Sequence, residues 1–369
     1  MLAALDDERF GAAALARAHD AAARAGAVLR RVDGPDDRLA AWIDLTFPAS
    51  WWSTEARAGS SWVAERDGRI AGFAAFGARG LRYAWLRAWR ERADVGLFGP
   101  FGIEPSARGD SLGDALLIAA LSSLRASGCA AALIPAVGYQ GLERMYAARA
   151  GAVVVERIDL DRAPFRATIL ASGAGTNARR ILERMGPGAA RLEVAALIAN
   201  DANAGALTAA RDHGVEALPI VWDRAGESRA AFDARLIEAL ERTRPQLVLL
   251  LGWMHLLPDA FLERFAETIN VHPAYLPLDP DADSTIAPDG TVVPALRGAH
   301  ALRDAVRDRV PWTGATVHEV TGRTDRGRVL VRMPLAVGDA ASEAELRERV
   351  RPLEFAAVDS AIRRWTFER

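Results

Sequence analysis

The sequence predicts two α/β domains: a mixed sheet with helices over about residues 1–162, then a mostly parallel sheet over 163–369. Three observations carry this. The chain has 369 residues, more than a single core usually serves. From residue 165 onward, apolar runs alternate with helical stretches, the pattern of a parallel sheet covered on both faces. Before that, strands flank a tight turn at Asp67-Gly68, which is hairpin chemistry. The link Asp161-Arg162-Ala163-Pro164 is short and charged, so the halves should pack with limited relative motion.

In order, residues 3–28 are Ala-rich and helical in pattern, and 39–46 give another helix. A loop from Pro48 to Trp52 follows. Trp62–Glu65 and Ile70–Phe76 alternate as strands around Asp67-Gly68. Val95–Ile103 reads as a strand, Asp114–Ala126 as a helix, "AALIPAV" as the next strand, and Val153–Leu160 as a last one. In the second half, Arg166–Ala171 reads as a buried strand, with a helix running through Met185. Strands follow at Leu192–Ala199, Pro219–Val221 and Leu247–Gly252. Helices follow at Asn203–His213 and Ser228–Arg242, with a shorter helical segment at Pro258–Phe265. Ligand sites in such sheets lie at the carboxyl ends of the strands.

Composition removes several function classes. Net charge is −2, which offers no electrostatic footprint for nucleic acid. There is no lysine, so Schiff-base chemistry is excluded. The single cysteine, Cys129, rules out an internal disulfide framework and a cysteine-built metal site. The acidic N-terminus has no signal-peptide core, and no apolar run reaches membrane-spanning length. The expectation is a cytoplasmic enzyme on a small molecule, with no metal and no membrane partner; oligomeric state is not legible.

The candidate chemistry centres on Asn270-Val271-His272-Pro273. Residues two apart on an extended segment face the same way. An amide donor and an imidazole then share a pocket, which suits acyl transfer to an amine: Asn270 for the oxyanion, His272 for the proton. Asp325 is the candidate to bias His272. Alone, such a tetrapeptide is more often an ordinary strand end. Ser172-Gly173-Ala174-Gly175-Thr176-Asn177 is a glycine-rich turn into a helix, a phosphate cradle. Arg108-Gly109-Asp110-Ser111-Leu112-Gly113 also opens onto a helix and can bind an anion; a plain N-cap by Ser111 or Asp110 explains it equally.

Taken in order, "RATILASGAGTNARRILERM", "LVLLLGWMHLLPDAF", "INVHPAYLP" and "GATVHEVTGRTDRGRVLV" resemble the folate-dependent glycinamide ribonucleotide transformylases and their formyltransferase relatives, over about 165–367. The resemblance implies a Rossmann-like sheet and 10-formyltetrahydrofolate as formyl donor. It implies catalysis by Asn270, His272 and Asp325, with the His272 pKa raised by Asp325 and His318 in support. Gly175, Thr176, Asn177 and Arg351 would hold the acceptor's phosphate, and Glu354 its ribose. Met254, His255 and Leu257 on one loop, Thr321 and Gly322 on another, and Arg229 would hold the folate. The acceptor implied is glycinamide ribonucleotide, in purine biosynthesis; another small amine, hydroxylamine or amino sugar is the alternative. Glu267 should repel an anion, Phe355 replaces a family histidine, and an acidic insertion at 278–293 enters beside the site.

The first half resembles the Gcn5-related N-acetyltransferases (GNAT). Their pyrophosphate loop, R/Q-x-x-G-x-G/A, aligns with Arg108, Gly109, Ser111 and Gly113, and Tyr146 falls where the family has a tyrosine able to protonate the thiolate. This implies acetyl-CoA or another acyl-CoA. Ser111 departs from the family glycine, so the alternative is a silent acyl-CoA-binding regulatory or scaffold module.

Overall fold

The computed structural model describes residues 1–77, 83–109, 111–138, 140–157, 164–184, 192–340 and 342–369. They fall into two units: Met1–Phe47, Trp52–Asp159 and Glu368–Arg369 in one, Pro48–Trp51 and Leu160–Phe367 in the other. The linker residues 158–163, Met185 and Asp110 lie outside the described residues.

The first unit contains β1 (Leu2–Ala4), α1 (Asp7–Phe10), α2 (Ala12–Arg24), β2 (Val28–Asp33), α3 (Asp37–Thr46), α4 (Trp52–Ala56), β3 (Ser60–Arg66), β4 (Arg69–Phe76), α5 (Arg87–Arg90), β5 (Val95–Ile103), α6 (Leu112–Ala126), β6 (Ala131–Leu133) and α7 (Gln140–Ala150). Its sheet runs β1-β6-β5-β4-β3-β2, with β5 and β6 parallel and the other pairs antiparallel. Asp67 (φ 51°) and Gly68 (φ 73°) both take the left-handed conformation that a two-residue hairpin needs. α2 and α6 bury Ala18, Ala22, Leu116 and Leu117 on one side of the sheet; Leu39 and Ile43 of α3 pack with Phe73 and Val63 in a second cluster.

Two sequence expectations fail here. Residues 3–28 are not one helical stretch: β1 precedes α2, because pairing with β6 overrides the helix preference of its alanines. Val153 makes only an isolated bridge to Leu2, and Val154–Arg157 lie outside any strand.

The second unit contains β7 (Phe165–Ala171), α8 (Thr176–Glu183), β8 (Leu192–Ala199), α9 (Gly205–Asp212), β9 (Glu216–Pro219), α10 (Arg229–Thr243), β10 (Leu247–Leu250), α11 (Asp259–Arg264), β11 (Thr268–His272), β12 (Ser284–Ile286), β13 (Val292–Pro294), α12 (Ala301–Arg307), β14 (Trp312–Glu319), β15 (Val329–Ala336) and α13 (Glu343–Phe367). The seven strands order as β15-β14-β11-β10-β7-β8-β9. β9, β8, β7, β10 and β11 are parallel; β14 and β15 join antiparallel. The parallel strands are near-continuous apolar runs because both faces are covered. β9 sits earlier than the expected Pro219–Val221, paired at Glu216–Pro219 with Ala196–Ala199. At the insertion, β12 and β13 pair as a hairpin. No helix among the described residues is long and apolar enough to cross a membrane.

Candidate functional site

Leu170, Leu250, Asn270 and His318 stand side by side across β7, β10, β11 and β14. This register brings the carboxyl ends of three parallel strands to one edge and sets His318 directly opposite Asn270. Asn270 Nδ2 lies 3.3 Å from His318 Nε2. His318 Nδ1 is 2.7 Å from the Glu319 carbonyl, which can only accept, so Nδ1 carries a proton. In the neutral ring Nε2 is then an acceptor, and Asn270 donates to it.

His272 is built the same way. Its Nε2 donates to the Leu296 carbonyl at 2.7 Å, leaving Nδ1 3.4 Å from Asp325 Oδ2. The other Asp325 oxygen lies 3.4 Å from His318 Nε2. One carboxylate therefore bridges both imidazoles. The expected rise in the His272 pKa does not occur. Burial of the ring pushes it down, and the opposing pull of Asp325 and of the Leu296 carbonyl does not recover it; His318 and Arg297 push it down further. Burial also acts to raise the Asp325 pKa. The Gly298 N–H bonds the carboxylate in any state, and His318 and His272 act on it as cations when they are protonated; together these prevail and hold the carboxyl well below the usual carboxylate range.

Asp325 sits in the left-handed region at φ 50°. Gly298 N donates to its Oδ2 at 2.7 Å and Arg297 Nε to its carbonyl at 3.2 Å. Sequence reasoning missed Arg297, Gly298 and Leu296. "PALRGAH" was visible as a run, but nothing in it says that it folds against Asp325. Thr316 fixes the turn after His272, donating to Ala274 O at 2.7 Å and accepting from Leu276 N at 3.1 Å.

At the end of β7, Gly175 has φ 70°, and a Cβ there would lie 2.5 Å from the Ala206 Cα. Only glycine lets the loop pass that close. Asn177 Nδ2 donates to Glu354 Oε2 at 3.3 Å, and Asn177 Oδ1 is buried with no hydrogen-bond partner among the described residues. Burial raises the Glu354 pKa, against the Asn177 bond and the charges of Arg347 and Arg351. Thr176 and Arg351 line one groove between α8 and α13 with Phe355; Arg351 also binds Glu348 at 2.6 Å. Glu267 is elsewhere. It precedes β11, at the amino end of the parallel strands, and accepts from Trp365 Nε1 at 2.8 Å, so it does not confront an anion at the cradle.

The Met254–Leu257 loop exposes Met254 and Leu256, while Leu257 packs on the core. Met254 N donates to Ser172 Oγ at 2.9 Å, tying this loop to the cradle. Arg229 pairs with Asp233 at 2.8 Å and donates to the Leu256 carbonyl, bracing the loop from α10. His255 lies among Trp222, Phe232 and Trp253; burial first, then Arg229 and Arg224, lowers its pKa. Thr321 Oγ1 accepts from Arg323 N at 3.3 Å, shaping the turn that holds Gly322. His300 is the residue before α12, and its side chain makes no capping bond.

In the first unit, Gly109 (φ 94°) and Ser111 (φ 63°) both take left-handed conformations before α6. Arg108 Nε turns back to the Ile103 carbonyl at 3.4 Å, and Glu104 N donates to Ala71 O. A Cβ on Gly113 would make ordinary contact with Phe101. β5 pairs with β6 only over Val95–Leu97, so its second half leaves that neighbour. Tyr146 is buried at this divergence, its ring 6.0 Å from Phe98. No cluster able to hold a metal occurs among the described residues.

An asparagine, two histidines and an aspartate thus meet beside the carboxyl ends of the parallel strands of a mixed sheet, a set able to donate a hydrogen bond and to move a proton. Residues 165–362 match the formyl transferase family, and residues 28–152 match the acetyltransferase (GNAT) family. The chain belongs to the formyl transferase family and carries a GNAT domain ahead of it. It is similar to phosphoribosylglycinamide formyltransferase of Mycobacterium tuberculosis (strain CDC 1551 / Oshkosh), 33% identical over 54% of this chain and 84% of that protein. The Escherichia coli (strain K12) protein of the same name is 30% identical over 51% and 81%. Among solved structures, glycinamide ribonucleotide transformylase 1 from Symbiobacterium toebii matches with TM-score 0.50 and 32% identity, covering 57% of this chain and 92% of that one. Membership makes this chain an enzyme of the formyltransferase and acetyltransferase superfamilies and implies a folate-type one-carbon donor.

Proposed function

We propose that the second unit transfers a formyl group from 10-formyltetrahydrofolate to the primary amine of a ribonucleotide, glycinamide ribonucleotide first among candidates. The observation that carries this reading is the convergence of His272 and His318 on Asp325, with the Asn270 amide on His318, at the sheet edge where the Gly175 cradle opens. Trp253 Nε1, buried without a hydrogen-bond partner among the described residues, and the exposed apolar side chains of Met254 and Leu256 fit a flat heteroaromatic donor. That donor supplies an activated formyl carbon.

The chain's own residues divide the remaining work. The Asn270 amide donates to the oxygen that gains charge as the amine attacks. His272, kept neutral by burial, offers its Nδ1 lone pair to the amine proton, Asp325 beside it stabilises the imidazolium that results, and the imidazolium gives that proton to the folate nitrogen as its bond to the formyl carbon breaks. His318 holds the Asn270 amide in place. Gly175, Thr176 and Arg351 receive the acceptor's phosphate, and Asn177 Oδ1 with Glu354 its ribose hydroxyls. The backbone of Met254–Leu257 and Thr321–Asp325 reads the pterin, with Arg229 as a brace.

The inserted hairpin and Phe355 favour a second reading, in which the same chemistry serves a different small amine, hydroxylamine or amino sugar. One assay tests both: turnover of 10-formyltetrahydrofolate against a panel of amines that includes glycinamide ribonucleotide. Transfer to none of them would overturn the reading. In the first unit we infer that Arg108, Gly109, Ser111 and Gly113 hold the pyrophosphate of an acyl-CoA at the start of α6, with Tyr146 at the acyl end. Acetyl-CoA should raise the unfolding temperature of the full chain. No shift with acetyl-CoA would overturn acyl-CoA binding, and a shift without acetyl transfer to any amine would favour the silent acyl-CoA-binding module.

A further inference from the structure

The insertion that interrupts the family pattern reaches the catalytic carboxylate through two arginines. Asp283, just before β12, accepts from Arg297 Nη1 at 3.1 Å and from Arg326 Nη2. Arg297 in turn donates to the Asp325 carbonyl at 3.2 Å and to the Ala282 carbonyl at 2.7 Å. Arg326 directly follows Asp325 and also donates to the Pro280 carbonyl at 2.9 Å. Asp281 receives Arg323 from the same loop at 2.6 Å. The hairpin is itself anchored: buried Arg332 donates to both Leu276 O (2.9 Å) and Thr285 Oγ1 (3.2 Å), and Trp312 Nε1 donates to Asp289 at 2.8 Å.

We propose that Asp283 is a positioning residue for formyl transfer, holding Arg297 and Arg326 so that Asp325 keeps its carboxylate between His272 and His318. The argument is electrostatic and steric. The two guanidiniums are only 13% and 22% exposed and carry like charge; the Asp283 carboxylate, 80% exposed, sits between them. Without it they repel, and Arg297 loses the partner that keeps its Nε on the Asp325 backbone. Asp325 is in a left-handed conformation, which aspartate tolerates better than most residues but which still costs energy that its surroundings offset. An anchored hairpin is such a surrounding, and it is supplied by the insertion. Burial first, then Arg326, pushes the Arg297 pKa down, and Asp283 and Asp325 act in the opposite direction.

The proposal rests on the formyl-transfer reading, so its test carries one readout that needs no turnover. Full-length Asp283→Ala, Asp283→Asn and Asp283→Glu are compared with wild type for kcat and KM with 10-formyltetrahydrofolate. The His272 imidazole is titrated by nitrogen-15 NMR, assigned with a His272→Gln variant. The groups facing His272 are Asp325, His318, Arg297 and the Leu296 carbonyl. Asp283→Ala should lower kcat on the order of tenfold or more, with KM changed far less. The His272 titration should move to lower pH, because a displaced Asp325 no longer supports the imidazolium. Asp283→Glu should restore both, and Asp283→Asn neither fully. Unchanged kcat with an unmoved titration overturns the proposal, even if the variant melts earlier. If wild type transfers no formyl group, the functional reading fails and the titration alone decides: a shift upholds the positioning, no shift overturns it.

Discussion

Asn270 and His318 face each other across the β11–β14 ladder, 3.3 Å apart at Nδ2 and Nε2. A side-chain amide pinned by its cross-strand neighbour loses little freedom when it meets a developing charge. That preorganisation is what an oxyanion donor requires.

Asn270→Ala should therefore lower turnover by about 10²-fold or more, with the melting curve within a degree or two of wild type. Steady-state kinetics alongside thermal unfolding separate the two effects. An alanine variant that turns over normally removes the oxyanion role.

His272 gives the fold a pH dependence. Burial makes its second proton harder to bind in the folded chain than in the unfolded one, whose histidines titrate near about 6.5. Below that pH the unfolded state binds more protons, so stability falls as pH drops and is flat above. Asp325 adds the same sign at lower pH: its depressed folded value means stability present above about 3.9 is lost on further acidification. The unfolding midpoint of the full chain should drop between about pH 7 and 5.5, and His272→Gln should flatten that interval. Parallel curves for the two proteins would contradict this.

Gly175→Ala should destabilise the second unit by roughly 1–3 kcal/mol, from a left-handed φ and a Cβ forced against the Ala206 backbone. Chemical denaturation reads the loss, and calorimetry should show weakened binding of a ribonucleotide acceptor. Wild-type stability and affinity together would mean that the loop can open without cost.

Ser111→Gly should tighten acetyl-CoA binding by about 1 kcal/mol, because the hydroxymethyl group leaves a left-handed turn that backbone amides need to line. The acetyl-CoA-induced shift in melting temperature would grow relative to wild type. Equal shifts would show that the serine does not crowd the loop.

Strands bounded by breakers were legible to the residue: Val95–Ile103 stops before Glu104-Pro105, and Leu192–Ala199 stops at Asn200-Asp201. Short elements were not. β1 is an alanine pair beside a leucine, and its strand state comes from β6. The hairpin at the insertion has too few apolar residues for a periodic signal; its order comes from Arg332, Trp312 and the arginines around Asp283.

The amino-acid order by itself determined that a mostly parallel sheet would carry an amide and an imidazole two residues apart on one strand, a glycine cradle on another, and an aspartate on a later loop. These are local properties of periodicity and spacing, and they survive translation into three dimensions. Only the tertiary structure decided the direction in which the His272 pKa moves, because burial is a property of everything packed around a ring and here it outweighs the neighbouring carboxylate. It decided equally that Glu267 lies at the far end of the strands and that Asp283, distant in sequence, holds the catalytic loop. Both depend on which strand ends meet, and that is set by the sheet order as a whole.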